Sequence, residues 1–187
     1  MMDRKHEEDR SGIESNTVGV YRTAATVKGG RRFSFSAMIV CGDRKGKVGL
    51  GYGKANQVPN AIEKAQKKAK RAMKSFPLTG TTIPHEVTGR FGACSVRLVP
   101  AAPGTGVIAG AAVRAVLDLL GVADCLSKAY GSTNNKNLTK AVINGLEQLR
   151  SRKEVENLRQ TTLEKTHAET AHAAVATLEP AVAKDAS

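Results

Sequence analysis

Cations and glycines are the residues of this 187-residue chain whose spacing could do chemistry. Lys28-Gly29-Gly30-Arg31-Arg32 sets three cations around two glycines. Gly42-Asp43-Arg44-Lys45-Gly46-Lys47 repeats the device with Arg44, Lys45 and Lys47, while Arg22 and Lys54 stand beside these segments. Lys64, Lys67, Lys68, Lys70, Arg71 and Lys74 then crowd a helical stretch in which only Glu63 opposes them. Like charges at i,i+3 and i,i+4 repel, so an anion is expected to relieve them. Glycines allow positive φ and leave main-chain amides unshielded. Such turns can offer both amides and long cationic side chains to a phosphate backbone.

The charge is local. Of 29 Lys+Arg and 17 Asp+Glu, residues 1–16 hold 3 and 5, residues 17–90 hold 15 and 3, and residues 91–187 hold 11 and 9. The nets of −2, +12 and +2 put the whole excess in the middle stretch. The bland alternative is a solvated basic surface kept for solubility; glycine-tipped cationic turns beside a cationic helix favour RNA instead. Aromatics make up 4% with no Trp, which argues against a broad base-stacking surface and for backbone and shape recognition.

Other chemistries find little support. Cys41, Cys94 and Cys125 are odd in number and widely spaced, and suit buried thiols in a reducing cytoplasm. There is no CxxC, and His6, His85, His167 and His172 have no ligand spacing to the cysteines, so neither metal nor cofactor is expected. No paired carboxylates or Ser/His/Asp set can be placed together. The longest apolar helical run is broken by Arg114 and Asp118, and MMDRKHEEDR lacks a signal-peptide core, so no membrane partner is expected. Gly49 to Lys54 imitates a Walker loop, but Val48 stands where its first glycine belongs and Ala55 replaces the Ser or Thr. Gly104-Thr105-Gly106-Val107-Ile108-Ala109 fits the loose GxGxxA form, yet Pro100 and Pro103 detach it from the preceding strand and Asp124 precedes the next one. Gly104, Thr105 and Gly106 either offer amides at a helix N-terminus to one RNA phosphate or only make a tight turn.

The elements that must position these residues follow from periodicity. Val18 to Val27 reads as a strand. Phe33 to Cys41 alternates Phe33, Phe35, Ala37, Ile39 and Cys41 against Ser34, Ser36, Met38 and Val40, a half-buried strand. Val48, Leu50 and Tyr52 continue the hairpin, and the opposite face of Gly49, Gly51 and Gly53 allows a helix to approach closely. Val58, Ala61, Ile62, Ala65, Ala69, Ala72, Met73 and Phe76 give the basic helix its buried stripe, with Pro59 in the first turn. After Phe76-Pro77-Leu78-Thr79-Gly80, strands are expected at Thr82 to Val87 and Cys94 to Pro100, and an apolar helix from Val107 to Leu120 capped by Gly121. A short strand from Cys125 to Tyr130 and a helix carrying Leu138, Val142, Leu146 and Leu149 complete the second unit. The chain is expected to divide into an acidic tail 1–16, a basic domain 17–76, a second α/β domain 77–153 and an Ala/Thr-rich tail 154–187, the last a frayed helix passing into disorder.

The string TVKGGRRFSFSAMIVCGDRKGKVGLGYGKA, followed by VPNAIEKAQKKAKRAM, PAAPGTGVIAGAAVRAVLDLLGV and SKAYGSTNNKN, closely resembles the bacterial small-subunit ribosomal protein S-five family. The resemblance runs from about Val18 to Leu149. It implies an α+β protein of two domains, an N-terminal αβ sandwich similar to the double-stranded-RNA-binding fold and a C-terminal βαβ-type α/β domain, neither catalytic. It further implies a cytoplasmic ribosomal constituent that binds small-subunit rRNA, supports assembly and decoding accuracy, and touches ribosomal proteins four and eight. Lys28, Gly29, Gly30 and Arg31 would lie against rRNA near the subunit neck, where spectinomycin sensitivity is set, with other basic residues towards the mRNA entry path. Ala25 departs from a position that is commonly basic in the family, so the phosphate contact implied there is not carried over to this chain. The acidic start and Ala/Thr-rich end lie outside the resemblance. A free double-stranded-RNA-binding regulator and a small nucleotide-using enzyme are the competing classes.

Overall fold

The computed structural model describes residues 12–160. Of these, residues 12–149 belong to one compact unit, and a second begins at Arg150. The first contains two four-stranded sheets. Strands β1 (Glu14–Val27), β2 (Gly30–Gly42), β3 (Lys47–Ala55) and the two-residue β4 (Lys74–Ser75) lie in that order, all antiparallel, with helix α1 (Val58–Arg71) between β3 and β4. The second sheet has the order β5 (Val87–Phe91), β6 (Cys94–Pro100), β8 (Cys125–Gly131), β7 (Val107–Ile108), the last pair being parallel. Helices α2 (Ala111–Leu120) and α3 (Asn135–Glu147) follow β7 and β8. This is the expected α+β arrangement.

The glycine face works as its composition suggests. Gly49, Gly51 and Gly53 lie directly against the backbone of α1, where a Cβ would run into the carbonyls of Ala69, Ala65 and Ala61 respectively. Those alanines are fully buried and form a small core with Ala37, Ile39 and Cys41. Bare backbone against methyls brings the strand and helix close enough to exclude water and hold the basic helix rigidly to the sheet.

Several elements depart from the sequence expectations. From Ser36 to Gly42, β2 is buried on both faces rather than one. Val40 and Val48 join Val116, Leu119 and Leu120 of α2 in the larger aliphatic core, so the second layer covers the side that alternation had left to solvent. Strand β1 begins at Glu14, before a bulge at Val18, and pairs Glu14 with Gly42 and Ser15 with Cys41. The acidic tail therefore cannot extend through residue 16. Helix α1 stops at Arg71, because the chain leaves it to pair Lys74 and Ser75 with Val48 and Lys47 and to set Phe76 in the larger core. The first strand of the second sheet is Val87–Phe91 instead of Thr82–Val87. Pro84 lacks a ladder donor, while Gly89, a poor strand former by itself, lies against Ala141 and Gly145 of α3. The apolar run at Val107 opens as β7 before the helix begins at Ala111, since Val107 and Ile108 pair with Cys125 and Leu126.

Gly121 ends α2 in the left-handed conformation, φ 96°, as expected. The remaining carbonyls of that helix end meet the β2–β3 turn. Arg44 N donates to Leu119 O at 3.0 Å and Gly46 N to Leu120 O at 2.9 Å, satisfying acceptors that a helix leaves open.

In the second unit, α4 (Arg152–Arg159) starts with a capping box between Ser151 and Glu154 and carries an Arg152–Glu156 pair at 2.9 Å. The helix expected from Glu154 thus begins two residues earlier, at Arg152, and is seen as far as Arg159. The expectations for residues 1–11 and 161–187 lie outside the described residues.

Candidate nucleic-acid interface

The cations fall into three places. Strand β3 ends at Ala55 opposite Phe35, so beyond that point β1 and β2 continue as a two-stranded ribbon to a turn at Lys28-Gly29. Arg22, Lys28, Gly29, Gly30, Arg31 and Arg32 are all exposed on it. The strands run further into the glycine turn than expected, pairing Ala25 with Arg32, Thr26 with Arg31 and Val27 with Gly30. Only Gly30 of the two tip glycines has positive φ, at 139°; Gly29 does not need glycine for its backbone angle. A bare two-stranded ribbon is marginal in water, so this arm is the part of the fold most dependent on an outside surface.

The second cationic turn lies at the other end of β2, about 40 Å away at 3.3 Å per residue. Arg44 there is committed to Glu14, Nη2 to Oε2 at 2.7 Å, with Nε at 3.0 Å. Asp43 accepts from the Lys45 and Lys47 amides at 2.8 and 3.0 Å. The amides of this turn are thus used internally, while the exposed side chains of Arg44, Lys45 and Lys47 extend from it, that of Arg44 to Glu14.

The third place is a groove of about 340 Å³ between β3 and α1, lined by Tyr52, Gly53, Lys54, Lys64, Lys67, Lys68 and Arg71. Lys67 reaches Glu63 at 2.5 Å, and this exposed pair holds the Glu63 carboxyl below its usual range. The groove brings Lys54 beside four cations of the helix that follows it, a juxtaposition set by the glycine face beneath it.

The Gly104 loop is different in kind. It does not sit at a helix N-terminus, because β7 intervenes before α2. Gly104 and Gly106 have positive φ. The Gly106 amide donates to Asp124 Oδ1 at 2.9 Å and the Thr105 amide to Ala102 O at 3.2 Å. The buried Asp124 carboxylate therefore takes up the Gly106 amide that a phosphate cradle would use. That carboxyl is held below the ordinary aspartate range, first by the Gly106 amide and then by the Thr81 hydroxyl. Stability from its ionised form is complete above the unfolded value of about 3.9 and disappears as pH falls through the lower folded value. Asp124→Asn is expected to lower Tm at pH 7 and to flatten the acid side of the Tm-versus-pH curve. Superimposable acid limbs for variant and parent would contradict this.

Comparison with known proteins places these features. The family model described as ribosomal protein S5, N-terminal domain, matches residues 13–77, and that described as ribosomal protein S5, C-terminal domain, matches residues 89–159. The small ribosomal subunit protein uS5 of Rhodopirellula baltica is 50% identical over 157 residues, covering 83% of this chain and 89% of its own. The chain belongs to the ribosomal protein S5 family. Its counterpart from Syntrophobacter fumaroxidans is 55% identical over 142 residues, 76% of this chain and 86% of its own. The S5 family is structural, not enzymatic, and the chain is accordingly a ribosomal constituent.

All three cation groups lie within the S5 N-terminal match, and the Gly104 loop lies within the C-terminal one. One cluster in this S5-family chain escaped the sequence reading. Lys136, in the first turn of α3, places its Nζ 4.4 Å from the Tyr21 ring and 4.9 Å from the Tyr52 ring, and donates to the Tyr52 hydroxyl at 3.5 Å. The Tyr52 phenol is held below its usual range, chiefly by a hydrogen bond with Ser36, with Lys136 contributing. Two tyrosines offset a cation that the positive end of α3 disfavours. Nothing in the local pattern signals it, because its members are 84 residues or more from Lys136 in sequence.

Proposed function

We propose that this chain binds small-subunit rRNA in the cytoplasmic ribosome through two surfaces, the β1–β2 ribbon and the β3–α1 groove, and thereby supports subunit assembly and translational accuracy. The ribbon, with Lys28 and Arg31 at its tip, lies near the subunit neck. The groove cations, with Lys45 and Lys47, face rRNA or the mRNA entry path, and ribosomal proteins four and eight are the neighbouring proteins. The observation that carries this reading is the ribbon, which is exposed on both faces, unsupported by a third strand and rich in cations. Neither its length nor its charge is required by the fold. The Gly104 loop is left out of the interface, because its Thr105 and Gly106 amides are satisfied internally.

Phosphate contacts have a thermodynamic signature. Removing Lys67, Lys68 and Arg71 together should lower the slope of log affinity against log salt by about 0.7 to 0.9 for each lost contact. A filter-binding salt titration on small-subunit rRNA measures it. An unchanged slope would make these residues ordinary surface charge.

A further inference from the structure

Seven aromatic rings are present, and their placement is unusual. The cores are aliphatic, with Phe76 the one large ring among the buried residues, while Phe33, Tyr52, Phe91 and Tyr130 are between 37% and 51% exposed. Tyr52 and Phe91 lie under lysines of α3. Phe33 has no such structural employment: it stands on the free ribbon, past the end of β3, 45% exposed.

The register explains what it meets. Arg22 pairs with Phe35 and Ala24 with Phe33, and paired residues share a face, so Arg22 and Phe33 are diagonal neighbours on one side of the ribbon. The Arg22 guanidinium carbon lies 3.6 Å from the Phe33 ring centroid, the separation of a flat stack. Arg22 is itself exposed, which leaves the outer plane of the guanidinium open. Beside it, on the same face, Thr26 and Arg31 lead to the tip. The result is a planar, cationic, partly apolar step among phosphate-binding residues. Unpaired bases of RNA stack on aromatic rings and on guanidinium planes, and such stacking tolerates any base because every base has a π face.

We propose that Arg22 and Phe33 form a stacking platform for one unpaired nucleobase of the RNA that the ribbon grips, so that the ribbon holds a non-duplex segment rather than phosphates alone. This rests on the RNA reading above and adds a base contact to it. Low aromatic content excludes a broad stacking sheet but leaves room for a single step.

Conservative substitutions separate stacking from charge. Phe33→Leu keeps an apolar side chain and Arg22→Lys keeps the cation, yet each removes a plane; Phe33→Tyr keeps the ring. The full chain is titrated, across salt concentrations, onto particles assembled from small-subunit rRNA and the other small-subunit proteins. Phe33→Leu and Arg22→Lys are each expected to weaken binding about 5- to 100-fold with the salt slope unchanged, and Phe33→Tyr to bind like the parent. Binding of Phe33→Leu within twofold of the parent, or equal losses in Phe33→Leu and Phe33→Tyr, would overturn the platform while a steep parental slope upheld the phosphate contacts. A flat parental slope would overturn the phosphate reading, and the platform with it.

Discussion

Gly51→Val is expected to destabilise the protein by about 3 kcal/mol, the upper end for overpacking a well-filled core. A Cβ at residue 51 would sit on the Ala65 carbonyl oxygen and the Ala69 nitrogen. Both are backbone atoms of one helix, so no side-chain rotation can relieve the contact. Helix α1 would have to lift from the sheet, and the lost packing of fully buried Ala61, Ala65 and Ala69 adds to the strain. Gly29→Ala is the control: nothing lies within 4 Å of its Cβ, and its φ is ordinary, so stability should stay level or rise slightly as the unfolded chain loses freedom. Urea unfolding of the two variants measures the contrast. A Gly51→Val change below about 1 kcal/mol would mean that α1 yields easily and that the glycine face is not what holds the basic helix in place.

Removing Lys28, Arg31 and Arg32 together should have the opposite profile, leaving the free protein's Tm unchanged and striking RNA binding. The three side chains are exposed at the ribbon end, beyond any helix or third strand, and substitutions at such positions usually change stability by under about 0.5 kcal/mol. If each neutralises one phosphate, the log–log salt slope should fall by about 2 to 3 in total, and affinity near 0.1 M salt by more than about tenfold. In cells the same variant is expected to alter decoding accuracy, read as stop-codon readthrough. A large fall in Tm would show that the cations support the ribbon itself. A full slope together with normal accuracy would remove the tip from the interface. The two experiments thus test separate links: glycine placement builds the scaffold, while cation placement gives the scaffold something to hold.

Much of this protein could be read in its sequence for a physical reason. Local periodicity reports burial on the side where an element meets one layer, which is why the α1-facing side of the Phe33 to Cys41 strand, the glycine face of its partner and the alanine stripe of α1 were legible. Gly121 was legible as a cap because only a residue without Cβ readily takes the left-handed end of a helix. Charge was equally legible as a local sum. Four ordered motifs sufficed for the family resemblance that the domain matches and relatives then established.

What only the tertiary structure decided depends on partners distant in sequence. Burial of both faces of β2 required α2, more than 70 residues onward; the strand that begins at Val87 required α3 to cover Gly89; and β7 required Cys125 and Leu126 as pairing partners. The same holds for the cations. Equal entries in a charge count become an ion pair at Arg44, a groove wall at Lys68 and a ring-stacked plane at Arg22. Charge is a property of a residue. Its availability to RNA is a property of what else lies within a few ångströms, and chain folding alone sets that distance.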